Sequence, residues 1–68
     1  MLMITLAAAR VNVGLTQKEA ADALNISHKT LCSWENGKTF PPADKLREIC
    51  ALYNVPIDAL NFLTSDSL

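Results

Sequence analysis

Histidine, glycine, proline and aromatic side chains are all scarce in this chain of 68 residues, which has one histidine, two glycines, three prolines, one tryptophan, one tyrosine and two phenylalanines. A single histidine without clustered carboxylates offers no catalytic constellation, and no glycine-rich phosphate loop is present, so neither an enzyme nor a cofactor is expected. Cys32 and Cys50 lie far apart without Cys-x-x-Cys spacing or neighbouring histidines, which leaves out zinc and redox motifs and implies no bound metal. Cys50 fits a helical apolar pattern and is expected to be a small buried hydrophobe, with Cys32 the more exposed of the two. Long hydrophobic runs are missing as well. The opening residues 1–9 are largely apolar, but no basic residue leads them and Arg10 ends the run well short of a membrane span or a signal peptide. Charge of one sign is also lacking, with six Lys and Arg against seven Asp and Glu and no charge block. Residues 1–40 are weakly positive and the remainder is negative.

Half the residues are hydrophobic and 19% are charged, the balance of a globular chain. A domain of this size buries only about 60% of the surface of its unfolded chain, so the core must be small and its apolar residues well segregated.

Short helical segments punctuated by turn residues run the length of the sequence. The first is predicted over about residues 5–13, with Leu6, Ala9, Arg10 and Val13 on one face and Gly14 taking a left-handed closing conformation; Leu15 then tucks inward. Thr16-Gln17-Lys18-Glu19 reads as a capping box that opens a second helix. Its stripe of Gln17, Ala20, Ala21 and Leu24 opposes Lys18, Glu19 and Asp22, and the alanines permit close approach of a neighbour. Asn25 suits a turn at positive φ, and Ser27 an N-cap for a third helix. Thr30, Leu31 and Trp34 of that helix face inward, while His28, Lys29, Cys32 and Ser33 face away. Asn36-Gly37 stops it. After Pro41-Pro42 a fourth helix is expected over about residues 43–53, with Leu46, Ile49, Cys50 and Tyr53 inward and Asn54 closing it. Val55, Ile57 and Leu60 complete the core, and Pro56 suits the first position of a short fifth helix whose start is favoured by Asp58.

The run Leu15-Thr16-Gln17, Ala20-Ala21, Leu24-Asn25-Ile26-Ser27, Thr30-Leu31 and Trp34-Glu35-Asn36-Gly37-Lys38 resembles the Cro and phage-repressor (XRE-type) helix-turn-helix transcriptional regulators. The likeness extends from about Leu6 to Leu60 in one register. It implies an all-α fold, a small bundle of about five short helices like the lambda-repressor DNA-binding domain. A single domain over residues 1–68 is expected, with the helix-turn-helix unit at about 16–36 and a tail at 61–68.

The resemblance further implies sequence-specific binding of a double-stranded DNA operator, with the helix at about 27–35 in the major groove. His28, Lys29 and Ser33 are the expected base contacts, His28 having phosphate as its alternative; Cys32 is a weaker candidate that could meet a thymine methyl. Gln17, Asn36, Lys38 and Thr39, with Ser27 if capping leaves it free, are the expected phosphate contacts. Leu31 and Trp34 serve the core, Thr16 and Glu19 the cap. Arg10 and Glu35 occupy positions that the family frequently links by a salt bridge, with phosphate as Arg10's alternative. Two departures stand out: Asn25 and Asn54 replace glycines, and Phe40 stands near a position that is often basic.

A homodimer on DNA follows from the same likeness, with Leu52, Phe62, Leu63 and Leu68 either forming its interface or packing locally. The expected role is a repressor in the cytoplasm, of bacterial or phage origin, with no membrane or small-molecule ligand. An antitoxin or other protein-interaction module on the same fold is the alternative.

Overall fold

The structure, a computed structural model, describes residues 3–61. Four helices form it: α1 (Leu6–Asn12), α2 (Gln17–Leu24), α3 (His28–Glu35) and α4 (Ala43–Tyr53). A 3-10 turn at Ile57–Ala59 follows, and two-residue strands β1 (Ile4–Thr5) and β2 (Leu60–Asn61) pair in parallel, Ile4 opposite Leu60 and Thr5 opposite Asn61. The all-α expectation therefore holds for the body of the fold, with a minimal strand pair joining its two ends. The tail residues Phe62, Leu63 and Leu68 lie outside the described residues.

Each of the first three helices starts on a hydroxyl cap. Thr5 Oγ1 accepts from Ala8 N, Ser27 Oγ accepts from Thr30 N, and at α2 the capping box closes in both directions between Thr16 and Glu19. Such caps satisfy amides that a helix leaves without an internal partner.

All four helices end in one way. A residue at positive φ (Gly14, Asn25, Gly37 or Asn54) turns the chain out. The amide after it then reaches back five residues, as Leu15 N to Arg10 O, Ile26 N to Ala21 O, Lys38 N to Ser33 O and Val55 N to Cys50 O. Three of those following residues are apolar and fold back onto the core. Both glycines of the chain are used here. A Cβ built at Gly14 would meet nothing, so what glycine supplies there is conformation rather than space.

The core gathers Leu6 and Ala9 of α1, Ala20, Ala21 and Leu24 of α2, Leu31 and Trp34 of α3, Ile49 and Tyr53 of α4, and Leu60. Fully buried alanines let α2 approach its neighbours closely. Lys45 Nζ donates to the carbonyl of Leu24 at 2.6 Å, which ties α4 to the C-terminal end of α2 where a cation is favoured.

Three expectations need correction. Val13 is 39% exposed, because α1 ends at Asn12 and a tightened last turn, Val13 N to Arg10 O, swings it off the inward stripe. Ile57 is 54% exposed: the fifth helix is only a three-residue 3-10 turn that opens directly into β2, so Leu60 turns inward and Ile57 outward. Cys50 is only half-buried, as is Cys32, so the contrast drawn between them is not found. Burial still pushes the Cys50 thiol up.

Asn25 sits at φ 58 and ψ 45, where a Cβ is penalised and asparagine is tolerated better than most residues. Asn25→Ala is expected to lower stability by about 1–2 kcal/mol, while Asn25→Gly leaves it level or slightly higher, as read from paired chemical denaturation curves.

Candidate nucleic-acid interface

The helix-turn-helix is built by α2 and α3 around the Asn25 turn. Leu31 and Trp34 fix the dry side of α3 in the core, Leu31 fully buried. The opposite side carries His28 and Lys29, both exposed, followed by the half-buried Cys32 and Ser33. Thr30 is half-buried and bonds Ser27 through its hydroxyl, Oγ1 to Oγ at 2.9 Å. Ser27 is thus engaged twice at the helix start, once as cap and once with Thr30.

Beyond α3, Asn36 lies back along the helix with its side-chain amide 3.5 Å from Cys32 Sγ. Lys38 and Thr39 are exposed, and their backbone amides both point at the Ser33 carbonyl, at 3.0 and 3.5 Å. Lys38 is the one residue after a left-handed helix end that is charged rather than apolar, so the turn that buries Leu15, Ile26 and Val55 delivers an ammonium group to the surface here. Lys29 and Lys38 have no ion pair among the described residues, whereas Lys18 faces Asp22 and Lys45 faces Glu48. Phe40 is 55% exposed.

Behind this surface runs a chain of side chains from three helices. Arg10 Nε donates to Glu35 Oε2 at 2.8 Å, and Arg10 NH1 donates to the Leu15 carbonyl at 2.8 Å. On its other oxygen Glu35 accepts from Gln17 Nε2 at 2.8 Å, and Gln17 Oε1 lies 2.8 Å from His28 Nε2. Gln17 and His28, expected separately as phosphate and base contacts, are therefore one hydrogen-bonded unit. Sequence reasoning missed the Gln17 bonds to His28 and Glu35 and the Lys45 bond to Leu24, since residues 11, 18 and 21 positions apart obey no local spacing rule.

The Arg10–Glu35 pair is well shielded, with side-chain exposures of 13% and 5%. Tyr53 enters the same region from α4, its hydroxyl buried and without a hydrogen-bond partner among the described residues. That hydroxyl is pushed up from 10.0 to about 12, first by burial and then by the negative charge of Glu35, with Arg10 partly opposing.

Among the described residues no three His, Cys, Asp or Glu side chains are grouped to hold a metal ion, and no helix is long and apolar enough to cross a membrane.

Removing one partner of a shielded ion pair leaves a lone charge in a poor dielectric. Glu35→Ala is therefore expected to cost about 3–5 kcal/mol, and the double change Arg10→Met with Glu35→Leu markedly less, in urea unfolding. The tyrosine yields a pH signature. Unfolded chains shed its proton near 10 and the native state near 12, so between those values the unfolded state binds fewer protons and stability falls as pH rises. The slope contributed approaches about 1.4 kcal/mol per pH unit. Tyr53→Phe is expected to remove that share of the alkaline loss, and to match or exceed wild-type stability at neutral pH because no buried hydroxyl is left unpaired.

Comparison with known proteins agrees with this geometry. The helix-turn-helix family profile matches residues 6–60. The chain is 44% identical over 52 residues to the HTH-type transcriptional regulator ImmR of Bacillus subtilis (strain 168), covering 76% of this chain and 41% of that protein. It is 35% identical over 51 residues to the HTH-type transcriptional activator BcrR of Enterococcus faecalis, covering 75% of this chain and 25% of that protein. The matched region thus spans less than half the length of either relative. With the matched span running from the start of α1 to the first residue of β2, the chain belongs to the helix-turn-helix family.

Proposed function

We propose that this chain binds double-stranded DNA sequence-specifically, as a transcriptional regulator that lays α3 in the major groove. The observation that carries the reading is the two-sided character of α3. Leu31 and Trp34 anchor it, while His28 and Lys29 project beside a loop whose Lys38 has no ion pair among the described residues. Lys29 suits guanine O6 and N7, and Ser33 donates or accepts at a base edge. Asn36, Lys38, Thr39 and the second N–H of the Gln17 amide suit phosphate oxygens. The names of the two relatives, a transcriptional regulator and a transcriptional activator, support the same class of function.

One reading helix covers only a few base pairs, so a two-fold pair with half-sites about 34–36 Å apart is the proposed binding form, and repression by occupancy the proposed outcome. Leu52, half-buried on α4, is the described part of the proposed interface. A cytoplasmic setting, where genomic DNA is accessible in bacteria, goes with this role.

Selection of bound sequences from random duplexes, followed by titration of the winner, tests the reading. Lys29→Ala is expected to relax preference at one or two positions at a cost of about 1–3 kcal/mol, whereas Lys38→Ala weakens all duplexes alike and reduces the salt slope by about 1 per subunit. With Lys29 and Lys38 as the two DNA-facing cations of each subunit, the dimer's log–log salt slope should be about −4. A slope steeper than about −8, or no preference over scrambled duplex, defeats the proposal.

A further inference from the structure

The Gln17 amide is held in one orientation by chemistry alone. Glu35 offers only acceptor oxygens, so the group at 2.8 Å from Oε1 must be the Gln17 NH2, and Arg10 on the other oxygen keeps that carboxylate in place. The amide oxygen of Gln17 then faces His28. An oxygen acceptor 2.8 Å from Nε2 requires that Nε2 carry the proton. In the neutral imidazole the other nitrogen, Nδ1, is then an acceptor. The ring is exposed at the start of α3, and Nδ1 has no hydrogen-bond partner among the described residues.

We propose that Gln17, oriented by Glu35, fixes His28 in the Nε2-protonated tautomer, so that Nδ1 accepts a hydrogen bond and selects a base bearing a major-groove amine, adenine or cytosine. This rests on the reading of α3 as the DNA-contacting helix, and it deepens that reading by giving His28 a definite polarity. Adenine N6 and cytosine N4 are the donors that the major groove displays, while guanine O6 and N7 and thymine O4 are acceptors that a bare Nδ1 rejects. A neutral His28 is for the same reason a poor phosphate contact, because phosphate offers no proton to Nδ1. Gln17 acts here as a positioning residue, setting which nitrogen of its neighbour is free.

Two measurements in mildly alkaline buffer test this on the full chain. Nitrogen-15 spectra of the free protein should show His28 protonated at Nε2 alone, and Gln17→Leu should return it to a mixture of tautomers. In duplex selection, one position of the wild-type site should favour adenine or cytosine by about fivefold or more, the worth of one directed hydrogen bond. His28→Leu should abolish that preference while leaving the others in place. His28→Gln should retain it, since a glutamine amide can donate to Gln17 and present its oxygen outward. Gln17→Leu should weaken it, together with a uniform loss across all sequences. Protonation at Nδ1 in the wild type, or an undiminished selection profile in folded His28→Leu, overturns the proposal. A wild type that folds and binds no duplex preferentially removes the DNA reading itself, a failure distinct from sequence preference that survives without His28.

Discussion

Glu35 closes α3, and its carboxylate is where three helices are fixed to one another. Arg10 of α1 occupies one oxygen and Gln17 of α2 the other, both at 2.8 Å. Placing a carboxylate at 5% side-chain exposure is costly unless donors offset the loss of water, and these two do. Net stabilisation from such a pair is small compared with a well-packed apolar substitute. What it supplies is arrangement: α3 cannot roll or slide without breaking a charge-assisted bond, so the exposed side has a defined angle to the first turn of α2. Tyr53 feels this pair too: burial is the main reason its hydroxyl holds the proton more tightly, and the charge of Glu35 adds to it while Arg10 partly opposes.

Geometry at the helix ends is the complementary constraint. Repeating one left-handed closure four times keeps the connections short and returns an apolar residue to the core at Leu15, Ile26 and Val55. The same backbone device at Gly37 carries Lys38, and there the following side chain goes to water. A single substitution in a repeated motif thus changes a packing element into a surface cation beside α3. The small core depends on this economy, because a domain this short has little apolar area with which to stabilise long loops.

Local rules made most of the scaffold legible. The Thr16–Glu19 capping box, the left-handed asparagines and the Leu31–Trp34 stripe all act within four residues, and each is found where spacing places it. Ends of elements were less legible. Val13 follows a helical count for one residue too many, and Ile57 obeys a period that a 3-10 turn feeding a strand does not continue. The β1–β2 pair carries no signal, since two residues per strand cannot display alternation. At the candidate interface, the exposed positions of His28 and Lys29 follow from period alone, but the engagement of Gln17 with Glu35 on one side and His28 on the other does not. Contacts across helices are set by crossing geometry, which one-dimensional spacing does not encode.

Charge pairing bears on how such a surface would discriminate. With Arg10, Lys18 and Lys45 each facing a carboxylate, few cations remain beside α3 to release counterions from a duplex, so on the proposed reading the sequence-independent part of binding would be correspondingly weak. A weak background raises the share of affinity that depends on base edges, and therefore on how rigidly the polar groups of α3 are presented. Rigid presentation is what the hydrogen-bonded chain from the shielded Arg10–Glu35 pair through Gln17 to the exposed His28 provides. A flexible histidine would offer either nitrogen and either polarity, accommodating donors and acceptors alike, whereas a ring held at Nε2 penalises the wrong base by leaving its acceptor opposite another acceptor. On the proposed reading, discrimination would come from the mismatch cost as much as from the matched bond, and that cost would hold only because Glu35 cannot release Gln17 without leaving a shielded charge half-solvated.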